Sequence, residues 1–252
     1  MTGRITKLEP TGNRLPEIGK VKCGEKTEKA CRSFDYFIGF GKYKSYFDNV
    51  YNNPDKIQIL FYTDNISECC NERFELRDKA GKLFGKGDGQ NFEIWDGKQY
   101  APFTTAEFPD LLVRTAVKAQ SPKGWERVLT LRFIIPKITG IYGAWSLETK
   151  ADKSSIDQII GVFDEVLSRA GTVTKMVFDL TVKKHVSQKP GDKSSYPVIN
   201  LIPNVTEGNL AIVKAFIAEN PDVTMITDEV LSRALLTQGE EEEEKTPDCF
   251  NY

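Results

Sequence analysis

The residues able to do acid–base or nucleophilic chemistry are few in this chain, and their spacing does not favour catalysis. His185 is the only histidine, and it follows two lysines near the end of an expected strand. A Ser-His mechanism would therefore depend on that single ring. No G-x-S-x-G, H-E-x-x-H or C-x-x-C motif occurs, and the carboxylates form no evident acid–base pair. We therefore expect a binding protein rather than an enzyme, with no catalytic residues.

The cysteines also lack the spacing of a metal site. Zinc sites usually use cysteine pairs two to four residues apart, written C-x₂₋₄-C. Cys23 and Cys31 are too far apart for this, whereas Cys69 and Cys70 are adjacent and would point to opposite faces of a strand. We expect no metal, no cofactor and reduced thiols, which are typical of the cytoplasm. The five cysteines are Cys23, Cys31, Cys69, Cys70 and Cys249.

Basic and aromatic residues are mixed in the N-terminal third, around Arg32, Phe37 and Phe40 and the residues that follow. Single-stranded nucleic acid is often bound in this way, because rings stack on bases at ~1–3 kcal/mol each and cations follow the phosphates. Such rings also pack in protein cores, and both interpretations stay open. The candidate DNA contacts are Lys42, Tyr43, Lys44, Tyr46, Arg132, Lys183 and Lys184.

An acidic segment followed by aromatic residues ends the sequence. Residues 239–252 hold six acidic residues and one basic residue, which leaves 33 basic and 30 acidic residues in the preceding body. We expect this tail to be disordered. It could serve solubility alone, but it resembles the tails of bacterial and phage single-stranded DNA-binding proteins, which dock partners and compete with DNA. The candidate partner-binding residues are Glu240, Glu241, Glu242, Glu243, Glu244, Phe250 and Tyr252.

Hydrophobic periodicity predicts many strands and one strong helix. Residues 155–169 have apolar side chains at helical spacing from Ile156 to Leu167, with Asp152, Ser154 or Ser155 as N-cap and Gly171 as the end. Shorter helices are predicted at 209–219 and 227–236. Gly85–Gly89 lacks phosphate-loop spacing and indicates a hairpin turn instead. The principal strands are predicted at 33–38, 57–62, 73–77, 82–85, 91–95, 127–135, 141–147, 173–184 and 196–202.

This order of elements favours a mainly β, α+β fold: a Greek-key barrel or sandwich, possibly OB-like, with C-terminal helices. Strands and helices do not alternate, which argues against a doubly wound sheet. The expected organisation is a basic N-terminal arm at 1–32, a β-rich core domain at 33–202, a helical segment at 203–238 and the disordered acidic tail at 239–252. Neither a membrane-spanning run nor a signal-peptide core is seen, so we expect a cytoplasmic protein, in the host cytoplasm if phage-encoded.

A series of short motifs occurs along the chain in a fixed order. They are Gly87-Asp88-Gly89, Leu131-x-Phe133-x-x-Pro136, Gly143-x-Trp145-x-x-x-Thr149, Ser155-Ile156, Gly171, Phe178-x-Leu180 and Tyr196-Pro197-Val198. Over roughly residues 4–202 this series resembles the phage recombination-directionality-factor-like family. Members accompany large serine integrases and switch them toward excision, and others lie among phage replication genes. Many relatives carry a cysteine cluster that residues 90–130 lack here, so the resemblance implies DNA transactions without a zinc site.

Two functions follow as expectations. The first is a phage-type accessory protein that binds DNA, single-stranded more than double-stranded, during replication or recombination, and recruits replication proteins through its tail. The second is a recombination directionality factor that binds a serine integrase by protein contact. The body is only weakly basic, which limits its electrostatic attraction to DNA. Both functions therefore stay open on the sequence alone.

Overall fold

Two β-sheets and five helices form the described part of the chain. The structure is a computed structural model, and it describes residues 14–26, 31–78, 80–104, 124–187, 191 and 194–243. The strands are β1 (Glu17–Lys26), β2 (Cys31–Phe40), β3 (Lys56–Leu60), β4 (Cys70–Arg77), β5 (Leu83–Gly87), β6 (Asn91–Trp95), β7 (Tyr100–Thr104), β8 (Trp125–Phe133), β9 (Ala144–Thr149), β10 (Val177–Val186) and β11 (Ser195–Pro203). The helices are α1 (Lys44–Val50), α2 (Ile66–Cys69), α3 (Asp157–Ala170), α4 (Glu207–Glu219) and α5 (Asp228–Glu243), and a π-helical turn at Asp152–Ile156 precedes α3.

The larger sheet has eight strands in the order β2-β1-β9-β8-β4-β5-β6-β7, and the smaller sheet has the order β11-β10-β3. Strands β1 and β9 are parallel, and the other neighbouring pairs are antiparallel. This confirms the mainly β, α+β class. In the described residues, the two end strands of each sheet are not paired with each other. Within the described residues, no helix is both long and apolar enough to cross a membrane.

The main core lies on one face of the large sheet. Val21 of β1 is paired with Leu147 of β9, and Leu147 is paired with Leu131 of β8. Leu131 is in turn paired with Cys70 of β4. All four side chains are buried. Because residues paired directly across strands share a face, this row fixes which side chains point into the core and which point away.

Helix α3 closes this core with the predicted apolar face. Ile159, Phe163 and Val166 are buried, and the Phe163 ring lies 5.1 Å, edge-on, from the ring of Phe61, measured between centroids. Gly171 ends the helix in the left-handed conformation with a φ of +79°, which confirms the predicted C-terminus.

A smaller core lies across β8, β4, β5 and β6, around Leu76, Phe92 and Trp125. The predicted hairpin at the Gly-Asp-Gly motif is confirmed, because β5 and β6 pair antiparallel across it. Gly89 has a φ of +94°. Gly87 has a different reason to be glycine, because an added Cβ would lie 2.3 Å from the Phe92 ring.

Both chain ends of the described part differ from the predicted organisation. Strand β1 lies inside the large sheet, between β2 and β9, rather than in an arm that extends to residue 32. Helix α5 continues to Glu243, so residues 239–243 are helical where we expected disorder. Glutamate is a good helix former, and extension of an existing helix avoids the cost of nucleation. Residues 1–13 and 244–252 lie outside the described residues.

Candidate anion-binding face of the large sheet

The face of the large sheet opposite the core carries a row of polar and aromatic side chains. Lys20 of β1 is paired with Phe40 of β2 on one side and with Ser146 of β9 on the other. Ser146 is in turn paired with Arg132 of β8. Lys20, Ser146 and Arg132 are each adjacent in sequence to a residue of the core-facing row. Because successive side chains of a strand point to opposite faces, these residues and Phe40, which is paired with Lys20, lie on the face away from the core.

A groove of about 700 Å³ opens at one end of this face, between the β1–β2 hairpin and the start of β11. Its cations are Lys20, Lys22 and Arg32, and Phe40 and Tyr196 supply exposed rings, with 52 % and 42 % of their surface accessible. Cations beside accessible rings are typical of sites whose ligand has an anionic group attached to a planar ring: the cations bind the charge and the rings stack on the plane.

Lys22 is held over the ring of Phe40, with 3.4 Å between its Nζ atom and the ring centroid. Partial burial lowers the pKa of Lys22, the neighbouring charge of Lys20 lowers it further, and Glu148 opposes both. An anion entering the groove would counter the repulsion between the two lysines, because an opposite charge stabilises the ammonium form.

A second pocket, of about 370 Å³, adjoins the groove, and Lys20 and Glu148 line both. Arg132 and Arg73 approach it from β8 and β4. Arg73 donates to the Thr130 hydroxyl at 2.7 Å and lies 3.5 Å from the Glu148 carboxylate. The pocket is polar, and Ser146 and Asn71 add groups that can donate hydrogen bonds.

The predicted contacts at positions 42, 43, 44 and 46 lie on the turn before α1 and on α1 itself, and they do not line the groove. Lys42 is exposed, with its Nζ 5.1 Å from the centroid of Tyr43. Tyr43 is half-buried and packs against the main core. Lys44 forms an ion pair with Asp48 on the next turn of the helix. Tyr46 is 39 % exposed, which makes it the more accessible of the two tyrosine rings.

The other predicted DNA contacts are on separate elements. Arg132 is buried and lines the smaller pocket rather than an open surface. Lys183 and Lys184 are exposed on the second half of β10, in the smaller sheet. The structure therefore does not gather the seven residues into one site. Of the predicted partner-binding residues, Glu240, Glu241, Glu242 and Glu243 lie in α5, and Glu244, Phe250 and Tyr252 lie outside the described residues.

Lys20, Lys22 and Tyr196 were not among the predicted contacts. The signal for the lysines is the alternation of Lys20 and Lys22 with Val21, which is the pattern of a strand with one basic and one apolar face. The prediction missed this alternation because it assigned residues 1–32 to an arm rather than to a strand. Tyr196 could not be found in the same way, because its position at the groove depends on how β11 lies beside β1 and β2.

Cys69 and Cys70 are buried thiols, and Cys23 is a half-buried one. Burial raises the pKa of Cys69 to about 12, and the nearby Asp64 carboxylate adds to the effect. The Cys69 thiol donates to the carbonyl oxygens of Thr63 and Asn65. In the part of the chain that the structure describes, no three His, Cys, Asp or Glu side chains are grouped as metal ligands would be.

The family comparison matches residues 18–204, from the first strand to the last strand of the two sheets. The matching family is described as Gp3-like, recombination directionality factor-like. The chain belongs to this family. The match confirms the resemblance drawn from the ordered motifs, and it leaves α4 and α5 outside. For this recombination directionality factor-like protein, comparison with curated proteins and with solved structures gave no significant match.

Proposed function

We propose that this recombination directionality factor-like protein binds a large serine integrase in the host cytoplasm and turns its reaction toward excision. It acts by binding and not by catalysis. The observation that carries the proposal is the extent of the family match, which includes both sheets and the α3 helix that follows β9 in the sequence. The match therefore covers most of the folded core rather than one short motif.

The composition of the groove, on the face of the large sheet opposite the core, supports a protein contact. Phe40 and Tyr196 are accessible beside Lys20 and Arg32, and exposed aromatic and arginine side chains are enriched at protein interfaces. Glu148 lies among these cations, so the face presents both signs of charge. Such a mixture suits a complementary protein surface better than a uniform polyanion.

The proposal can be tested by recombination with purified proteins. The chain is mixed with the serine integrase encoded in the same genome and with DNA carrying the two hybrid sites that flank an inserted element. We expect excision to need the chain, and insertion between the two original sites to be inhibited by it. Size-exclusion chromatography should show a complex of the two proteins without DNA.

A serine integrase from an unrelated element is the matched control, and it should not respond. The double variant Phe40→Ala, Tyr196→Ala tests the exposed rings, and it should weaken the complex while circular dichroism stays unchanged. If the cognate integrase neither binds the chain nor changes direction, the proposal is wrong.

A second candidate function is DNA binding, most of all to single strands, and the groove at Lys20, Lys22 and Phe40 favours it. Binding to an oligonucleotide should weaken as salt rises, because each neutralised phosphate releases condensed counterions. Lys20→Gln with Lys22→Gln should reduce the salt dependence, whereas Lys137→Gln, an exposed lysine outside the groove, should not. Absence of binding at low salt, even after deletion of residues 239–252, would exclude this function.

A further inference from the structure

Arg132 is a buried cation whose hydrogen-bonding capacity is only partly used. Its side chain is only 8 % exposed. Its Nη2 donates to the carbonyl oxygen of Leu15 at 2.6 Å. The Glu17 carboxylate is 3.8 Å from Nη1, which is too far for a hydrogen bond. The Nε atom is buried without a hydrogen-bond partner, and buried polar groups in native proteins are rarely left in that state.

The pocket beside Arg132 has more positive than negative side chains. Arg14, Lys20, Arg73 and Arg132 line it, against the carboxylates of Glu17 and Glu148. The ion pairs across the pocket are long: Lys20 to Glu17 is 3.9 Å, and Arg73 to Glu148 is 3.5 Å. The loose Lys20–Glu17 pair lets Lys20 turn toward a bound anion, whereas Arg73 is held by short hydrogen bonds to Thr130 and Glu75 at 2.7 Å.

We propose that this pocket binds a phosphate group, with Arg132 and Lys20 as its principal contacts. The lining donors come from several strands: Lys20 from β1, Ser146 from β9, Arg132 from β8 and Asn71 from β4. A tetrahedral phosphate can accept hydrogen bonds from many directions, whereas a carboxylate is planar and is best matched by one guanidinium side by side. The volume of about 370 Å³ admits a phosphate and part of the attached group.

The rest of such a ligand would lie in the larger groove. Lys20 and Glu148 line both cavities, so a group attached to the phosphate would extend toward Phe40 and Lys22. The phosphate could belong to a DNA backbone or to a free phosphorylated compound. This binding goes beyond control of an integrase, since it needs no partner protein.

Isothermal titration calorimetry of the full chain with inorganic phosphate tests the site, with chloride added to keep the ionic strength constant. We expect saturable binding that Lys20→Gln and Arg132→Lys each weaken by about tenfold or more, because charge-assisted hydrogen bonds are the stronger class. Lys137→Gln removes an exposed charge outside the pocket and should leave the dissociation constant unchanged. Should Arg132→Lys fail to fold, Lys20→Gln still carries the test, because Lys20 is exposed.

Competition then distinguishes the sources of the phosphate. If an oligonucleotide displaces inorganic phosphate and its own binding is weakened by Lys20→Gln, the group is a backbone phosphate. If phosphate binds and oligonucleotides do not compete, the ligand is a free phosphorylated compound, and the site is still confirmed. The proposal is overturned if phosphate binding is absent or equal in all variants. It is also overturned if only a peptide of residues 239–252 binds at Lys20 and Arg132.

Discussion

The side-chain amide of Gln158 makes both of its hydrogen bonds to the backbone of Leu201. The Nε2 group donates to the Leu201 carbonyl at 2.8 Å, and Oε1 accepts the Leu201 N–H at 2.9 Å. Strand β11 is at the end of the smaller sheet, so the amide takes the place of a further strand. The hydroxyl of Ser155 does the same for the N–H of Ile199 at 2.9 Å. The start of α3 thus protects a sheet edge that would otherwise be open to pairing.

Replacement of Gln158 should destabilise the protein through this edge. In Gln158→Leu, the N–H and C=O groups of Leu201 lose their partners, and we expect the free energy of unfolding to fall by about 1–3 kcal/mol. Urea unfolding followed by circular dichroism measures the loss, and sedimentation velocity should show self-association through the exposed edge. Ser168→Ala is the control, because Ser168 is exposed on the same helix; its effect should stay within about 0.5 kcal/mol. An equal loss in both variants would contradict the edge role.

Two glycines should respond to alanine in opposite directions. Gly161 lies within α3, and a Cβ added there meets nothing within 4 Å. Gly161→Ala should therefore raise the free energy of unfolding by about 0.5–1 kcal/mol, because alanine is the better helix former. A Cβ added at Gly19 would lie 2.5 Å from the Trp145 ring. Gly19→Ala should lower the stability, and thermal unfolding of the two variants side by side checks both signs.

Glu75 should make the stability sensitive to acid. It is buried at 3 % exposure, and its two carboxylate oxygens lie 2.7 Å from Arg73 and from Arg77. Burial alone would raise its pKa, but the two guanidinium groups outweigh burial and hold the pKa of Glu75 below its usual range. Since the folded-state pKa is depressed, its contribution is present above the unfolded pKa of about 4.3 and is lost as the pH falls through the folded value.

The variant Glu75→Gln should thus be less stable than the original chain by about 1–3 kcal/mol at neutral pH. The difference should shrink as the pH falls below about 4, because the native carboxylate is then protonated. Urea unfolding at several pH values measures it. Glu93→Gln is the control, since the Glu93–Lys86 pair is largely exposed and such pairs contribute about 0–1 kcal/mol. A constant difference at every pH would exclude the electrostatic explanation.

The elements that the sequence predicted well are those with a strong local pattern. The apolar face of α3, the closing Gly171 and the β5–β6 hairpin all follow from periodicity and turn residues. The parallel pairing of β1 with β9 could not be predicted in this way, because the two strands are distant in sequence. Among the predicted N-caps of α3, Ser155 failed for a similar reason, because its hydroxyl accepts the N–H of the distant Ile199.

The candidate site was predicted less well than the fold, because it depends on which strands are neighbours. Arg32 and Phe40 belong to the basic and aromatic segment noted in the sequence, but Lys20 and Tyr196, which line the groove with them, lie on β1 and β11. Arg132 is buried, and it donates a hydrogen bond to Leu15, which is distant in the sequence. From sequence alone, a charged residue in a strand is interpreted as exposed, because the distant segments that pack against it are not known.

The acidic tail should act through two separable features, its charge and its terminal rings. Its carboxylates resemble phosphates in charge and would compete for the basic groove at low ionic strength, where screening is weak. Deletion of residues 239–252 should therefore tighten binding of an oligonucleotide and abolish recruitment of a partner protein. Phe250→Ala with Tyr252→Ala should abolish recruitment alone, whereas glutamine at positions 240–244 should tighten DNA binding alone. Fluorescence anisotropy with a labelled oligonucleotide, and pull-down of replication proteins or the integrase, measure the two effects. If the deleted chain binds DNA and every partner as the full chain does, the tail serves solubility only.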